Sequence, residues 1–457
     1  MNFKKTVAIA TAVGALTAIS VPAMALENEF HGMFRNFFYL SNALSGGGGF
    51  MMKDGAGTSR YAEQRARIQY TAKASDDLKL VTHFELDSRW GGNDVAAGGN
   101  ADKYGTSNDA GKLDADGISL ETKNVYLDFN CPITGSNVKA GIQPFSDAYQ
   151  GTFGNWDGAG LQVSKKFSAL TGTAAWFRAA DTNVKNATDY KKSADIYVLD
   201  GKFALGKDLT LGANYYAVSR DTGTNGTGAT ATALSANSVV AEFTNMLGLN
   251  AAAKVGPAAV TASLGYQFGD FNATRDLKAF GATATAKIDL GVGKVNASAL
   301  YLSGNKNTTG DYKGWQTAAA GVTYFNASNM WLLIRNGATI NSSTSVSGAD
   351  IANKGLGMIG GFAGFEGALD KIFYSANIGY AEVAEKGAAK SASLGTEVNA
   401  TVGYKLYSNL SASLTGAYLV LGDGLKQDVA ANTLAGFGAG AKADNPFLTN
   451  VQLNYTF

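Results

Sequence analysis

The chain holds two histidines, one cysteine and a run of alternating charges, and these bound the chemistry open to it. His83 shares a period-two face with Lys79, Val81, Glu85, Asp87 and Arg89. A carboxylate beside an imidazole could orient it for general-base work, but a base needs a nucleophile next to it. No G-x-S-x-G or H-E-x-x-H motif occurs, and His31 sits far up the chain from His83. Enzymatic chemistry is therefore not expected. Asp114-Ala115-Asp116-Gly117 opens like a calcium loop but lacks the remaining ligand spacing and the closing Glu. The chain has no C-x-x-C-H for haem attachment. No cofactor and no metal are expected. The charges suit a wetted wall instead. Arg60, Arg65, Arg67 and Arg89 carry it, with Lys73, Lys79 and Lys139 near them and Glu85 and Asp87 among them. Arginine stays charged and can grip a carboxylate or phosphate through its fork. The same charges can also pair with one another across neighbouring strands.

Such a wall needs strands to carry it. In Leu78 to Trp90, Leu78, Leu80, Thr82, Phe84 and Leu86 face one way and the charged set faces the other. In Arg65 to Lys73, Ala66, Ile68, Tyr70 and Ala72 alternate with Arg65, Arg67, Gln69, Thr71 and Lys73. Residues 258–268 alternate in the same way. Ten-residue alternation, apolar against polar, is the pattern of a barrel strand between lipid and water. Composition agrees: 57 Gly, 20 Tyr and 24 Phe, but only 5 Pro. Gly and aromatics suit twisted sheets with tight turns and interfacial girdles.

Short turns are predicted near Ser75–Asp77, Ile133–Gly135, Ser168–Leu170, Gly206–Asp208, Gly256–Pro257, Leu290–Gly293, Asn326–Asn329, Leu369–Asp370 and Tyr407–Asn409. Between them lie longer polar, Gly-rich stretches. The count gives an all-β transmembrane antiparallel barrel of about twenty strands, with eighteen as the alternative; residues 237–255 are where a loop excursion could distort it. Short periplasmic turns and long extracellular loops are expected on opposite ends.

The N-terminus fits export. Lys4 and Lys5 precede an apolar run from Val7 to Val21, which ends in Ala23-Met24-Ala25. This reads as a signal peptide over residues 1–25, leaving a barrel over 26–457. No later stretch supplies the roughly 20 consecutive apolar residues of a helical span. Loss of Lys4 and Lys5 takes the formal charge from +1 to −1, so no nucleic-acid partner is expected. The lone Cys131 cannot form an internal disulfide.

The closing strand Val451-Gln452-Leu453-Asn454-Tyr455-Thr456-Phe457 resembles the C-terminal signature of bacterial outer-membrane barrels. That resemblance implies recognition of Tyr455 and Phe457 by the barrel-assembly machinery. Glu29 to Arg35 resembles the opening strand of porins, the maltoporin type included, and Val138 to Phe145 followed by Gly158 to Leu161 resembles the fifth and sixth strands of many porins. Membership of the porin superfamily would imply an outer-membrane, lipid-embedded channel for passive diffusion of small hydrophilic solutes and ions. Homotrimers are usual in that superfamily. It would also imply that the loop after the fifth strand, Ser146 to Asp157, narrows the pore with Asp147, Tyr149, Phe153, Trp156 and Asp157, opposite the basic ladder. On this reading Arg60, Arg65, Arg67, His83, Glu85, Asp87, Arg89, Lys139, Asp147 and Asp157 line the pore and set its selectivity. Two alternatives stay open. One is a sugar-selective porin with Tyr126, Trp176, Tyr216 and Trp331 as an inner slide; the other is a sheath around a multihaem cytochrome. Trp315, Trp331, Tyr407 and Tyr455 are the candidates for the interfacial belt.

Overall fold

The alternating segments become eighteen strands in the computed structural model, which describes residues 27–42, 58–91, 113, 120–181, 193–220, 241–306, 309–319, 323–334, 345–346, 351–352, 355–387, 389, 391–426 and 444–457. The predicted signal peptide and the Asp114–Gly117 segment lie outside the described residues. In chain order the strands are β1 (Glu27–Ser41), β2 (Ser59–Ser75), β3 (Leu78–Arg89), β4 (Leu120–Asn130), β5 (Asn137–Ser146) and β6 (Asn155–Phe167). Next come β7 (Leu170–Asp181), β8 (Ser193–Leu205), β9 (Leu209–Arg220), β10 (Phe243–Val255), β11 (Ala258–Asn272) and β12 (Arg275–Asp289). The last six are β13 (Lys294–Leu302), β14 (Met358–Leu369), β15 (Ile372–Glu382), β16 (Ser393–Tyr407), β17 (Leu410–Leu421) and β18 (Phe447–Thr456).

Each strand pairs antiparallel with its chain neighbours, and β1 pairs with both β2 and β18, which closes the ring. Closure leaves no strand edge, as lipid requires: an unpaired N–H or C=O has no water to turn to there. The faces divide as the alternation demands. Phe30, Ile68, Leu127, Leu249, Leu264, Ile378, Val402 and Val451 are exposed on the outside. Glu85, Asn214, Thr283, Asn399 and Thr415 are buried on the inside. So many exposed large apolar side chains form a belt that only lipid can cover.

Eight of the nine predicted turns close the hairpins at one end, where Glu27 and Phe457 also lie. The ninth does not. Asn326–Ser328 is a 3₁₀ turn inside the connection between β13 and β14. The expected twenty strands are thus eighteen, the alternative count. The apolar residues around that turn are buried within the barrel, which gives them strand-like hydrophobicity without a strand partner.

The C-terminal residue seals the seam. Gly32 N–H donates to the Phe457 carbonyl (2.9 Å) and Phe457 N–H to the Gly32 carbonyl (3.1 Å). The Phe457 ring lies over Gly32, where no Cβ intervenes, and stacks on Tyr455 at 5.7 Å. Deleting Phe457 removes both hydrogen bonds and the ring. A smaller folded fraction is expected after refolding from urea into detergent, read by electrophoretic mobility with and without heating. Equal folded fractions would show that the seam does not need it.

Candidate functional site

Among the described residues, two connections turn into the lumen. The shorter, residues 147–154, is organised by one side chain. The Asp147 carboxylate accepts backbone N–H bonds from Tyr149 (2.9 Å), Gly151, Phe153 and Gly154 (2.7 Å each). Burial pushes this carboxyl up from the usual range, while the four N–H groups pull it back. Gln150 and Gly151 both take positive φ, 62° and 86°, to complete the tight turn. The loop projects Tyr149 and Phe153 onto Tyr216 of β9, and the Tyr149 hydroxyl donates to Asn214. Burial and the nearby Asp147 and Asp200 carboxylates push the Tyr149 hydroxyl up, so it stays a donor.

The longer connection, residues 303–357, is tied down where it is described. It docks on the shorter loop through Trp315 Nε1–H to the Thr152 carbonyl (3.0 Å), Ala318 N–H to Phe153 (2.8 Å) and Tyr324 N–H to Gly151 (3.1 Å). Gln267 of β11 and Gln316 clasp each other: Gln267 Nε2 donates to the Gln316 carbonyl (2.7 Å), and Gln316 N–H donates to Gln267 Oε1 (2.8 Å). Arg220, buried at the end of β9, donates to the carbonyls of Ala241, Thr317 and Ala318. On the far wall, Glu397 of β16 accepts the N–H groups of Trp331 (2.7 Å), Leu332 (2.9 Å) and Leu333 (2.8 Å), and Asn399 Nδ2 donates to it at 2.9 Å. Side chains thus supply the partners that a strand would find in a ladder. Met330, Leu332, Leu333 and Ile334 are fully buried, in one cluster with Leu302, Met358, Leu419 and Leu421 of the inner wall.

The wall has a trough for these aromatics. Gly248, Gly265 and Gly281 are direct cross-strand neighbours on β10, β11 and β12. A Cβ on Gly248 would strike the Tyr149 hydroxyl; on Gly265 it would lie 2.9 Å from the Trp315 ring, and on Gly281 2.7 Å. Gly281→Leu is expected to evict the indole, with overpacking of about 1–3 kcal/mol. Iodide quenching of tryptophan fluorescence should rise; unchanged quenching would place the indole elsewhere.

The described wall left partly open is that of β1 to β4. Arg65 grips Asp87 with both arms, Nε to Oδ1 at 2.7 Å and Nη2 to Oδ2 at 2.5 Å, and reaches Glu85 at 3.3 Å. Arg67 also bonds Glu85. Arg89 bonds Glu63 at 3.0 Å and stacks on Tyr61. A bulge in β4 skips Lys123, whose Nζ bonds Asp157 at 2.5 Å. Asn124 donates to Asp157 at 2.7 Å and meets His83 Nδ1 at 3.3 Å. Arg67 and Lys123 side chains are 27% and 26% exposed, whereas Gln267, Leu277, Glu397 and Leu419 are at 0%. Among the described residues, Arg67 and Lys123 of the charged wall thus keep solvent contact that the wall under the long loop lacks at these positions.

Arg65, Arg67, His83, Glu85, Asp87 and Arg89 stand together there as expected. Lys139 lies over the Tyr126 ring at 5.7 Å, nearer the turn end. Three expectations are corrected. Arg60 has the opposite parity and is exposed on the outer face, opposite Leu40. Trp176 also points outward, at 39% exposure, because Phe177 takes the inner position. Trp315 and Trp331 are inner-loop residues, not belt residues. Tyr216 is inside but wholly covered by the loops. Asp147 spends its charge on its own backbone. Sequence reading passed over Arg35, which sits beside Arg65 in register and donates to Asn454 at 3.0 Å, and over Glu63 and Lys123. For Glu63 the signal was available: it extends the period-two face of Arg65 and Arg67 by one step.

No protein-family model and no curated protein sequence matches the chain. Solved structures do. OpdO of Pseudomonas aeruginosa is similar with a TM-score of 0.54 and 13% identity, over 94% of this chain and 97% of that one. A BenF-like porin from Pseudomonas fluorescens Pf-5 gives 0.54 and 10%, over 94% and 98%. OccK2 (OpdF) of Pseudomonas aeruginosa, solved in complex with glucuronate, gives 0.51 and 12%, over 94% and 98%. The likeness is one of fold, a closed antiparallel β-barrel.

Proposed function

We propose that this protein is an outer-membrane porin, a water-filled channel for passive diffusion of small hydrophilic solutes and ions. One observation carries the reading: a closed barrel that holds a wall of charged side chains on its inner face beside two loops folded into the lumen. A ring of sixteen to eighteen strands encloses an aqueous channel, and narrowing it next to fixed charges gives selectivity without chemistry. Among the described residues the wall sets Arg35, Arg65, Arg67 and Arg89 against Glu63, Glu85, Asp87 and Glu121, while Lys123 and Asp157 balance. These charges cancel, so little net preference between anions and cations is expected. Glucuronate, seen in OccK2, is an anion of suitable size. The channel carries out no covalent step: His83 meets an asparagine, with no nucleophile beside it among the described residues.

The experiment is single-channel recording in planar bilayers with a potassium chloride gradient. Discrete conductance steps with a reversal potential near zero are expected. Correctly folded protein that passes no current sinks the reading. The sheath reading is less favoured, because the chain's own loops occupy the lumen that a cytochrome would need. Recognition of Tyr455 and Phe457 by the assembly machinery, and a homotrimer, remain parts of this proposal for which the terminal strand and the fold give the support.

A further inference from the structure

Below the short inner loop, towards the turn end, the lumen widens into a cavity of about 350 Å³. Its polar groups are mostly carboxamides and hydroxyls, Gln150, Asn155, Asn250, Thr261, Tyr324 and Asn326, set among small residues such as Ala251 and Ala252. We infer that this cavity is a binding subsite for an uncharged, polyhydroxylated solute of monosaccharide size, which deepens the porin reading and rests on it.

The chemistry of the lining selects that class. No lysine or arginine contributes to it. Its one acidic member, Asp147, is saturated by four backbone N–H groups, so it offers an anion no welcome and a cation no free lone pair in the loop. A carboxylate solute leaving the arginine wall would find no counter-charge here. A polyol would, by contrast, find matched partners, because each hydroxyl both donates and accepts, as do carboxamides and threonines. The volume lies at the small end of ligand pockets, which fits a single sugar ring and excludes longer chains.

Some of this hydrogen-bonding capacity is already used and some is not. Gln150 Nε2 donates to Thr261 Oγ1 (3.1 Å), and Thr261 bonds Thr285 (2.6 Å), so these groups are held in place. Asn250 lies over Gly212, whose missing side chain makes room for the carboxamide. Among the described residues that carboxamide has no hydrogen-bond partner, and it borders the cavity. A preorganised rim with one carboxamide left for the solute is the arrangement a weak, reversible subsite needs.

The probe is D-glucose, with D-glucuronate as the charged counterpart of the same ring. Glucose binding to the full detergent-solubilised chain is followed by saturation-transfer NMR, and current block is followed in bilayers. Saturable glucose binding is expected, with glucuronate about tenfold weaker and the Asn250→Leu and cavity-filling Ala252→Phe variants each about tenfold weaker. If Asn250→Leu does not refold, Thr261→Val takes its place. Binding that does not saturate, that is equal for glucuronate, or that survives the variants unchanged overturns the inference. Saturable glucose binding without any conductance would instead overturn the porin reading and leave the subsite standing. Conductance without saturable binding would do the reverse.

Discussion

Replacing Glu397 with alanine is expected to raise single-channel conductance and to split it into several open levels. Glu397 is wholly buried and takes three consecutive N–H groups of the long inner loop, from Trp331, Leu332 and Leu333. Alanine leaves those three donors buried without a partner, at about 1–3 kcal/mol each. Asn399 also loses its acceptor, though it keeps its bond to the Asn329 carbonyl at 3.0 Å. Against release stands the burial of Met330, Leu332, Leu333 and Ile334, at about 1.5–3 kcal/mol each. The two effects are of similar size. The loop is therefore expected to exchange between docked and undocked arrangements rather than to leave for good, which is why several levels should appear. Glu397→Gln keeps one acceptor oxygen and should give a smaller change. All-point current histograms of the three proteins decide it, and identical histograms would mean that Glu397 does not hold the loop.

How such a pin could be read from sequence depends on distance along the chain. The eight hairpin turns were legible because each is written locally: Asp76-Asp77, Gly206-Lys207-Asp208 and Gly256-Pro257 announce themselves between alternating runs. The charged wall was legible for the same reason, since Arg65, Arg67, Glu85 and Asp87 lie on two strands joined by one turn. Glu397 was not legible. It looks like any inward charge until the loop lying 64 to 66 residues away is folded against it. The segment from Trp315 to Ile334 misled for a physical reason. Its apolar residues face a core, as strand residues do, but the core is the interior of the barrel. Trp176 and Trp315 exchanged their expected places because an indole suits either a lipid interface or a buried aromatic cluster. The glycine row was hidden among 57 glycines, and only the register of β10, β11 and β12 sets the three side by side.

Neutralising Arg65 and Arg67 together, as glutamines, is expected to move the reversal potential from near zero to the cation side. The sign follows from the wall. Two cations leave, and Glu85 and Asp87 stay on the path without their partners. Beside the balanced Lys123 and Asp157, the remaining count among the described residues is Arg35 and Arg89 against Glu63, Glu85, Asp87 and Glu121. Unit charges about 4 Å apart interact by roughly 4 kcal/mol at the dielectric of a protein surface, so even a fraction of one uncompensated charge outweighs the thermal energy of a passing ion. The two substitutions should not add. With Arg67 alone removed, Arg65 still reaches Glu85 at 3.3 Å, so the single variant should shift the potential by much less than half of the double. Arg65→Lys keeps the charge but not the fork on Asp87, and should leave the reversal potential near zero while loosening the β2–β3 pair. Ionic strength gives an independent handle. Screening shortens from about 10 Å at 0.1 M salt to about 3 Å at 1 M, so the shift must shrink as salt rises. A reversal potential that does not move at 0.1 M would mean that these ion pairs only join strands and that the current passes elsewhere in the lumen.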